Sequence, residues 1–374
     1  MTETAEVVII GGGIVGCATG YFLARRGVQV TIVEKEAVGS CASGFAAGLL
    51  NPLYGDNIPG PLESLARESF NMHLSLAEEV ADETGLDPRM EDTSSIWVAF
   101  NEAETAEVEG LFRLTRRMEG FPAQWLDGED VRSLEPRISP RVMNGMRVEG
   151  TRQVSSYEYT LALSGAAEKR GAAIRHGTVR GLRQSSDGQV TGVVLEGEEV
   201  ACDKVVIAMG PWTGQVEGWL GIPVPVGPLK GQILRLEVAG PPLEHSFYHS
   251  GGGYVSPKPD GLVWVGTTEE QVGFDDQPTP EARASILKEA TGVVPALSEA
   301  KVTLQTACLR PVSEDGLPII GAVPGREGVY LATGAGRKGI LLGPALARAT
   351  ADLITDGHTD LPIVPFSPGR FAGA

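Results

Sequence analysis

Gly11, Gly13 and Gly16 stand in the pattern GxGxxG, within Gly11-Gly12-Gly13-Ile14-Val15-Gly16, and Glu34 follows 18 residues after Gly16. These residue types at this spacing suit the pyrophosphate and ribose of a dinucleotide. Gly11 permits a tight turn, Gly13 lets backbone N–H groups approach phosphate, and Gly16 lets a helix close on a strand. The helix that follows offers its unpaired N–H donors and the positive end of its dipole to the phosphates. A carboxylate at Glu34 accepts from ribose hydroxyls, and an acid there rather than an arginine disfavours a 2′-phosphate. The fingerprint alone does not separate NAD from FAD. A glycine turn in some other α/β fold is the alternative, and the surrounding elements weigh against it.

Those elements are legible. Val7–Ile10 is a wholly apolar run suited to a strand covered on both faces. Ile14, Ala18, Phe22 and Arg25 recur at helical spacing, with a stop at Gly27, and Val28–Val33 is a second β-branched run. Together they predict a βαβ unit. Beyond it, helices are expected over Leu62–Thr84, Tyr159–Arg170 and Ile340–Ile354. Strands are expected over Ala173–Val179, Gln189–Leu195, Val200–Ala208 and Gly328–Ala332, with a turn at Ser185–Gly188. Val224–Val238 and Gly253–Thr268 alternate apolar and polar residues among many Pro and Gly, the mark of antiparallel strands. Parallel-sheet character at the start, near residue 200 and at the end therefore flanks antiparallel character. That arrangement predicts one nucleotide-binding domain in pieces, 1–88, 150–222 and 310–374, with a second domain, 89–149 and 223–309, inserted twice.

The bulk properties narrow the class. The chain has 374 residues, 42% hydrophobic and 21% charged, enough for two cores. With 31 Lys plus Arg against 48 Asp plus Glu the formal net charge is −17, which speaks against nucleic acid as a partner. Cys17, Cys41, Cys202 and Cys308 lie far apart with no CxxC pair, so neither a disulfide framework nor a thiolate metal site is expected. The uncharged stretch Val7–Ala24 is interrupted by glycines and is not read as a membrane span. A soluble cytoplasmic protein is the expectation, and a homo-oligomer is compatible with it.

Three further segments bear on the cofactor. Ala37–Leu50 is rich in small side chains, so a bulky cofactor could lie close to its backbone; tight helix packing is the alternative. Asp203–Gly214 holds a β-branched run ending at Gly210, as at a strand terminus beside a ligand. Tyr330–Pro344 runs from strand through glycines into an apolar helix whose N-terminus near Gly339 could face an isoalloxazine ring.

Seven segments in order, VVIIGGGIVG…TIVEKE, ASGFAAGLLNP, KVVIAMGPWTGQ, PVGPLKGQILRL, GYVSPKPDGLVWVGTTEEQVGFD, CLRPVSEDGLPIIG and ATGAGRKGILLGPALA, resemble the D-amino-acid oxidase superfamily of FAD enzymes. The likeness is strongest to its glycine oxidase branch. It implies an α/β fold with a Rossmann-like, glutathione-reductase-like FAD-binding domain and an inserted α+β substrate domain built on an antiparallel sheet. It places pyrophosphate and ribose at Ile14, Val15, Glu34 and Lys35. Flavin and phosphate contacts fall at Ala42, Ser43, Ala47, Gly48 and Leu49, and a backbone contact near the adenine at Val179. The pyrimidine edge of the flavin would be wrapped by Ala335, Gly336, Arg337, Lys338, Gly339, Ile340 and Leu341. Arg310 matches the arginine that pairs with the substrate carboxylate, and Tyr254 a tyrosine that faces the substrate.

The chain also departs from the family. A histidine and an aromatic are common where Ala335-Gly336 stand, asparagine is usual at Lys338, and glycine is usual at Cys308. Cys308 resembles the cysteine that tethers FAD in monomeric sarcosine oxidases, but non-covalent FAD is the expectation because the rest of that segment is different.

The chemistry implied is oxidation of an amine at the carbon bearing hydrogen. A guanidinium forms a planar two-bond pair with a carboxylate, so Arg310 would fix an amino acid in orientation as well as position; a salt bridge to Asp315 or Glu314 is the structural alternative. For Tyr254 the alternative is a core aromatic with a bonded hydroxyl. Hydride would pass from Cα to flavin N5 without a protein base, the imine would hydrolyse to a keto acid, and O2 would reoxidise the flavin to give H2O2. The substrate expected is a small amino acid or secondary amine of the glycine, sarcosine or D-amino acid type. A D-amino-acid dehydrogenase using a quinone or another acceptor is the alternative.

Overall fold

The structure, a computed structural model, describes residues 4–186 and 188–371. It divides into two units, residues 1–90, 154–229 and 309–374 forming the first, and residues 91–153 and 230–308 the second.

The first unit is built on the strand Thr4–Ile10, which pairs in parallel with Val30–Glu34 on one side and Glu198–Ile207 on the other. Ala173–His176 extends the sheet beyond Val30–Glu34, and Val329–Thr333 extends it beyond Glu198–Ile207, both in parallel. Ile319–Ala322 closes that edge as an antiparallel strand. All-apolar runs are needed here because both faces are covered. On one face Gly20 of the helix Ile14–Arg25 lies against Ile9 and Ile32, and a Cβ there would sit 2.7 Å from Ile32. The helices Ser156–Lys169 and Gly339–Thr355 pack against Ile14–Arg25, and Glu63–Thr84 packs against those two. On the other face Val8, Ile10, Val205 and Ile207 share a core with Val190, Val193 and Leu195. Those last residues belong to an antiparallel ribbon, Val179–Gln184 paired with Val190–Leu195, itself paired with Glu198–Ala201.

The second unit is a sheet in the order Lys301–Ser313, Val226–Glu237, Val263–Gly266, Tyr254–Pro257, Ser246–Tyr248, Glu91–Ala99 and Asn144–Gln153, the first two of which have residues in both units. Ala123–Asp127 pairs with Asn144–Gln153. Its pairings in register are antiparallel except Ser246–Tyr248 beside Glu91–Ala99. One face is a core of Ile96, Val98, Leu234, Phe247, Val255 and Val265 under Ile286, Ala290 and Val293 of the helix Pro280–Val293. Alternation along the strands turns Trp97, Tyr248 and Tyr254 to the opposite face. There Trp97 stacks on Tyr248 with centroids 5.1 Å apart and planes 11° from parallel.

The expected elements are present with shifted ends. The run Ala173–Val179 ends as a strand at His176, and Val179 instead opens the next strand, which the sequence reading had not separated. The turn expected at Ser185–Gly188 leads into Val190–Leu195, and its Asp187 lies outside the described residues. Helices Glu102–Thr115 and Pro280–Val293 had not been anticipated. Among the described residues no helix is long and apolar enough to cross a membrane.

Candidate active site

The glycine turn is shaped by close backbone approaches. Gly11 has φ +113°, and a Cβ on it would lie 2.3 Å from the carbonyl oxygen of Ala208. A Cβ on Gly16 would lie 1.9 Å from the carbonyl oxygen of Gly11, so no larger residue lets the helix start this close to the strand. Gly13 is the residue before the helix and has no side chain to cap it. The Ile14 N–H is taken by Ser43 Oγ at 3.0 Å, which brings the small-residue loop over the turn. Val15 and Gly16 follow in the first helical turn, where N–H groups have no intrahelical acceptor. Glu34 closes the cradle: its Oε2 accepts the Gly12 N–H at 2.6 Å and its Oε1 the Glu36 N–H at 2.9 Å. A carboxylate has about four lone-pair sites, so an oriented Glu34 has capacity for further donors.

The rest of the small-residue loop is fixed in the same unit. Ala42–Phe45 is one short helical turn, and Ala46 accepts from Ser156 Oγ at 2.7 Å. Gly48 has φ +69°, exchanges a 2.9 Å backbone bond with Val154, and would bring a Cβ within 2.0 Å of the Val154 carbonyl. Leu49 begins a two-residue strand. Lys35 holds its ammonium 3.7 Å over the Trp212 ring, and Trp212 sits in the 3₁₀ turn Gly210–Val216. That turn is anchored by Thr213 and Thr333, whose hydroxyls lie 2.9 Å apart and both donate to the Gly210 carbonyl. The carbonyl of Glu34 accepts the Gly177 N–H at 2.8 Å, which leads the chain to Val179.

A second helix start meets the first. Gly343 lies against the Ile14 side chain, where a Cβ would sit 3.2 Å away, so the helix Gly339–Thr355 begins beside the helix Ile14–Arg25. Immediately before it, Lys338 donates to the carbonyl oxygens of Asn51 at 3.1 Å and Tyr54 at 2.8 Å. Arg337 pairs with Asp56 at 3.1 Å. Burial pushes the Lys338 ammonium down to about 8, Asp56 opposes this and Arg337 adds to it. Ala335 bridges Val312 in antiparallel fashion. Arg310 is two residues from Val312 on the same strand. Of the two acids named as alternatives for it, Asp315 and Glu314, Asp315 pairs with Arg370 at 2.8 Å.

Tyr254 belongs to the second unit. It is buried, opposite Tyr248 on one side and Gly266 on the other, and a Cβ on Gly266 would come 3.3 Å from its hydroxyl oxygen. Burial lifts the Cys17 and Cys202 thiols to about 12 and raises Cys41. Among the described residues no cluster of His, Cys, Asp or Glu could hold a metal ion.

Sequence reasoning passed over the loop Asn51–Asp56 and the repair at Pro344. Pro344 breaks the backbone ladder of the helix Gly339–Thr355, and two side chains of the helix Glu63–Thr84 take over. Ser69 Oγ accepts the Ala345 N–H at 3.1 Å, and His73 Nε2 lies 3.0 Å from the Leu341 carbonyl oxygen. A proline at the sixth residue of an apolar helix was the signal available.

A helix start whose Val15 and Gly16 N–H groups lack intrahelical acceptors, side-chain-free glycines and an oriented acid suit the ADP half of FAD, and a loop and helix start meeting at Lys338 suit its ring. Comparison with known proteins agrees. The profile of the DAO family, described as FAD dependent oxidoreductase, matches residues 6–353. The chain is 33% identical to a glycine oxidase of Geobacillus kaustophilus over 375 aligned residues, covering 100% of this chain and 99% of that one. The crystal structure of glycine oxidase from Geobacillus kaustophilus superposes with a TM-score of 0.92 at 31% identity, covering 98% of each chain. That of iminodiacetate oxidase from Chelativorans sp. BNC1 gives 0.89 at 25% identity, covering 97% and 98%.

Proposed function

Because the chain belongs to the DAO family of FAD-dependent oxidoreductases, and so oxidises a carbon–nitrogen bond of an amino acid or amine, we propose that its substrate is glycine, sarcosine or a small D-amino acid, with O2 as the acceptor and H2O2 the product. The observation that carries this reading is the Val312–Ala335 bridge, which sets Arg310 two residues from the segment assigned to the ring. Bound FAD supplies the two-electron acceptor for the hydrogen on Cα.

Everything else in the scheme is binding and orientation. Arg310 takes the substrate carboxylate in a two-bond pair, which fixes the direction of the Cα–H bond. The resemblance also assigns Tyr254 a place facing the substrate. The amine reacts in its neutral form, so no side chain need remove a proton from carbon, and alignment supplies most of the rate. Gly11, Gly13 and Gly16 with Ile14 and Val15 hold the pyrophosphate, and Glu34 and Lys35 the ribose. Ala42, Ser43, Ala47, Gly48, Leu49 and Gly210 line the ring and phosphates, Val179 the adenine, and Ala335–Leu341 the pyrimidine edge. The FAD is held without a covalent bond, Cys308 included. The imine released hydrolyses in water to a keto acid.

The test is product analysis in air. Purified protein given glycine, sarcosine, D-alanine or D-proline should form peroxide and keto acid in equal amounts. Reduction of an added dye with no peroxide would overturn the oxidase assignment in favour of a dehydrogenase.

A further inference from the structure

Lys338 stands where the resembled family usually has asparagine, and its surroundings do not neutralise it. Its ammonium is spent on two carbonyl oxygens, those of Asn51 and Tyr54. Carbonyls satisfy its N–H donors without cancelling its charge. The carboxylate at hand, Asp56, is paired with Arg337. Lys338 is also the residue before the helix Gly339–Thr355, at the positive end of that helix dipole. The loop that grips it is itself fixed, since Asn57 Nδ2 donates to the Gly316 carbonyl at 3.3 Å. The charged groups acting on it are thus Asp56, which favours its protonated form, and Arg337, which opposes it, beside the positive end of the helix.

A fixed ammonium at a helix N-terminus, held by carbonyls that carry no net charge, favours an anion beside it. The reading of Ala335–Leu341 as the ring-binding segment supplies one, because the two-electron-reduced flavin carries negative charge on its pyrimidine side. Resting on that reading, we propose that Lys338 is a positioning residue whose ammonium, clasped by the Asn51 and Tyr54 carbonyls, favours the reduced over the oxidised cofactor, and withdraws that support when it gives up its proton. The clasp outlives the charge. A neutral amine keeps two N–H donors for two carbonyls, so loss of the proton changes the field and leaves the loop in place. Burial pushes the group down to about 8.

The experiment is the pH dependence of the flavin reduction potential in the holoprotein, wild type against K338M and K338R, from about pH 6 to about pH 10. The wild-type profile should break near 8. Below the break, wild type should favour reduced over oxidised FAD about tenfold more than K338M does, the size of a one-unit pKa change. The two should converge above about pH 9, while K338R keeps the low-pH behaviour throughout. Parallel wild-type and K338M profiles would overturn the proposal. If K338M fails to retain FAD, wild type and K338R decide: no break in the wild type, or one shared by K338R, contradicts it. Wild-type protein that takes up no FAD would instead bring down the cofactor reading on which this rests.

Discussion

Glu34 Oε2 accepts the backbone N–H of Gly12 at 2.6 Å, so the acid at the end of the second strand builds the turn that precedes the first helix. Its other oxygen is used on Glu36, two residues along its own chain. The residue expected to read the ribose therefore also shapes the phosphate cradle.

Replacing Glu34 with Ala should strip the Gly12 N–H of its acceptor, at a cost of about 1–3 kcal/mol. The Kd for FAD should then rise by about tenfold or more, and E34Q, which keeps one amide oxygen, should lose less. Fluorescence titration of the apoprotein with FAD measures both, and equal Kd values for wild type and E34A would separate Glu34 from the cradle.

Gly16→Ala forces a Cβ to within 1.9 Å of the Gly11 carbonyl, a contact that neither backbone can relieve. We expect loss of FAD binding and a stability deficit of about 3 kcal/mol or more. Gly110→Ala, in the helix Glu102–Thr115, meets nothing within 4 Å and should instead stabilise by about 0.5–1 kcal/mol. Urea unfolding of the two variants should move the midpoint in opposite directions.

Ser69→Ala should cost about 1–3 kcal/mol, since the Ala345 N–H beyond Pro344 then loses its acceptor in a buried place. Melting followed by circular dichroism should show the drop. An unchanged Tm would mean that the proline break needs no repair.

Lys258 gives a pH signature. It donates to Gln153 Oε1 at 2.6 Å, and burial pushes it down to about 7, with Asp260 and Glu91 opposing. A lysine lowered in the folded state binds fewer protons there than in the unfolded chain. Stability therefore rises with pH between about 7 and the ordinary lysine value, with a slope of up to about 1.4 kcal/mol per pH unit. K258M should flatten that rise in urea unfolding at successive pH values. A slope unchanged in K258M would assign it to other groups.

Arg310→Lys should raise KM for carboxylated amines far more than for an amine without a carboxylate, because an ammonium cannot reproduce the planar pair. Steady-state kinetics on the two substrate types decides. Equal effects on both would remove Arg310 from the carboxylate.

What the sequence disclosed follows from how local each feature is. The turn Gly11–Gly16 is specified by residues within one βαβ unit, so pattern alone located it, and the buried parallel strands declared themselves by their apolar runs. Glu34 was identified as an acid for ribose, but its bond to Gly12 depends on the register between Thr4–Ile10 and Val30–Glu34, which no local pattern carries. Lys338 is held by residues more than 280 positions earlier, and Ser69 repairs a break at Pro344, so neither partnership had a local signal. Val179 was located as a residue, yet the end of the preceding strand at His176 was missed because both runs read as extended chain.

The most direct measurement is anaerobic mixing of the purified, yellow protein with glycine, sarcosine and small D-amino acids while the visible flavin band is followed. The account predicts that at least one of them bleaches the band in wild type, and that the same compound at the same concentration bleaches R310K far more slowly. A flavin that stays oxidised with every one of these amines, or an R310K protein that bleaches as fast as wild type, would contradict it.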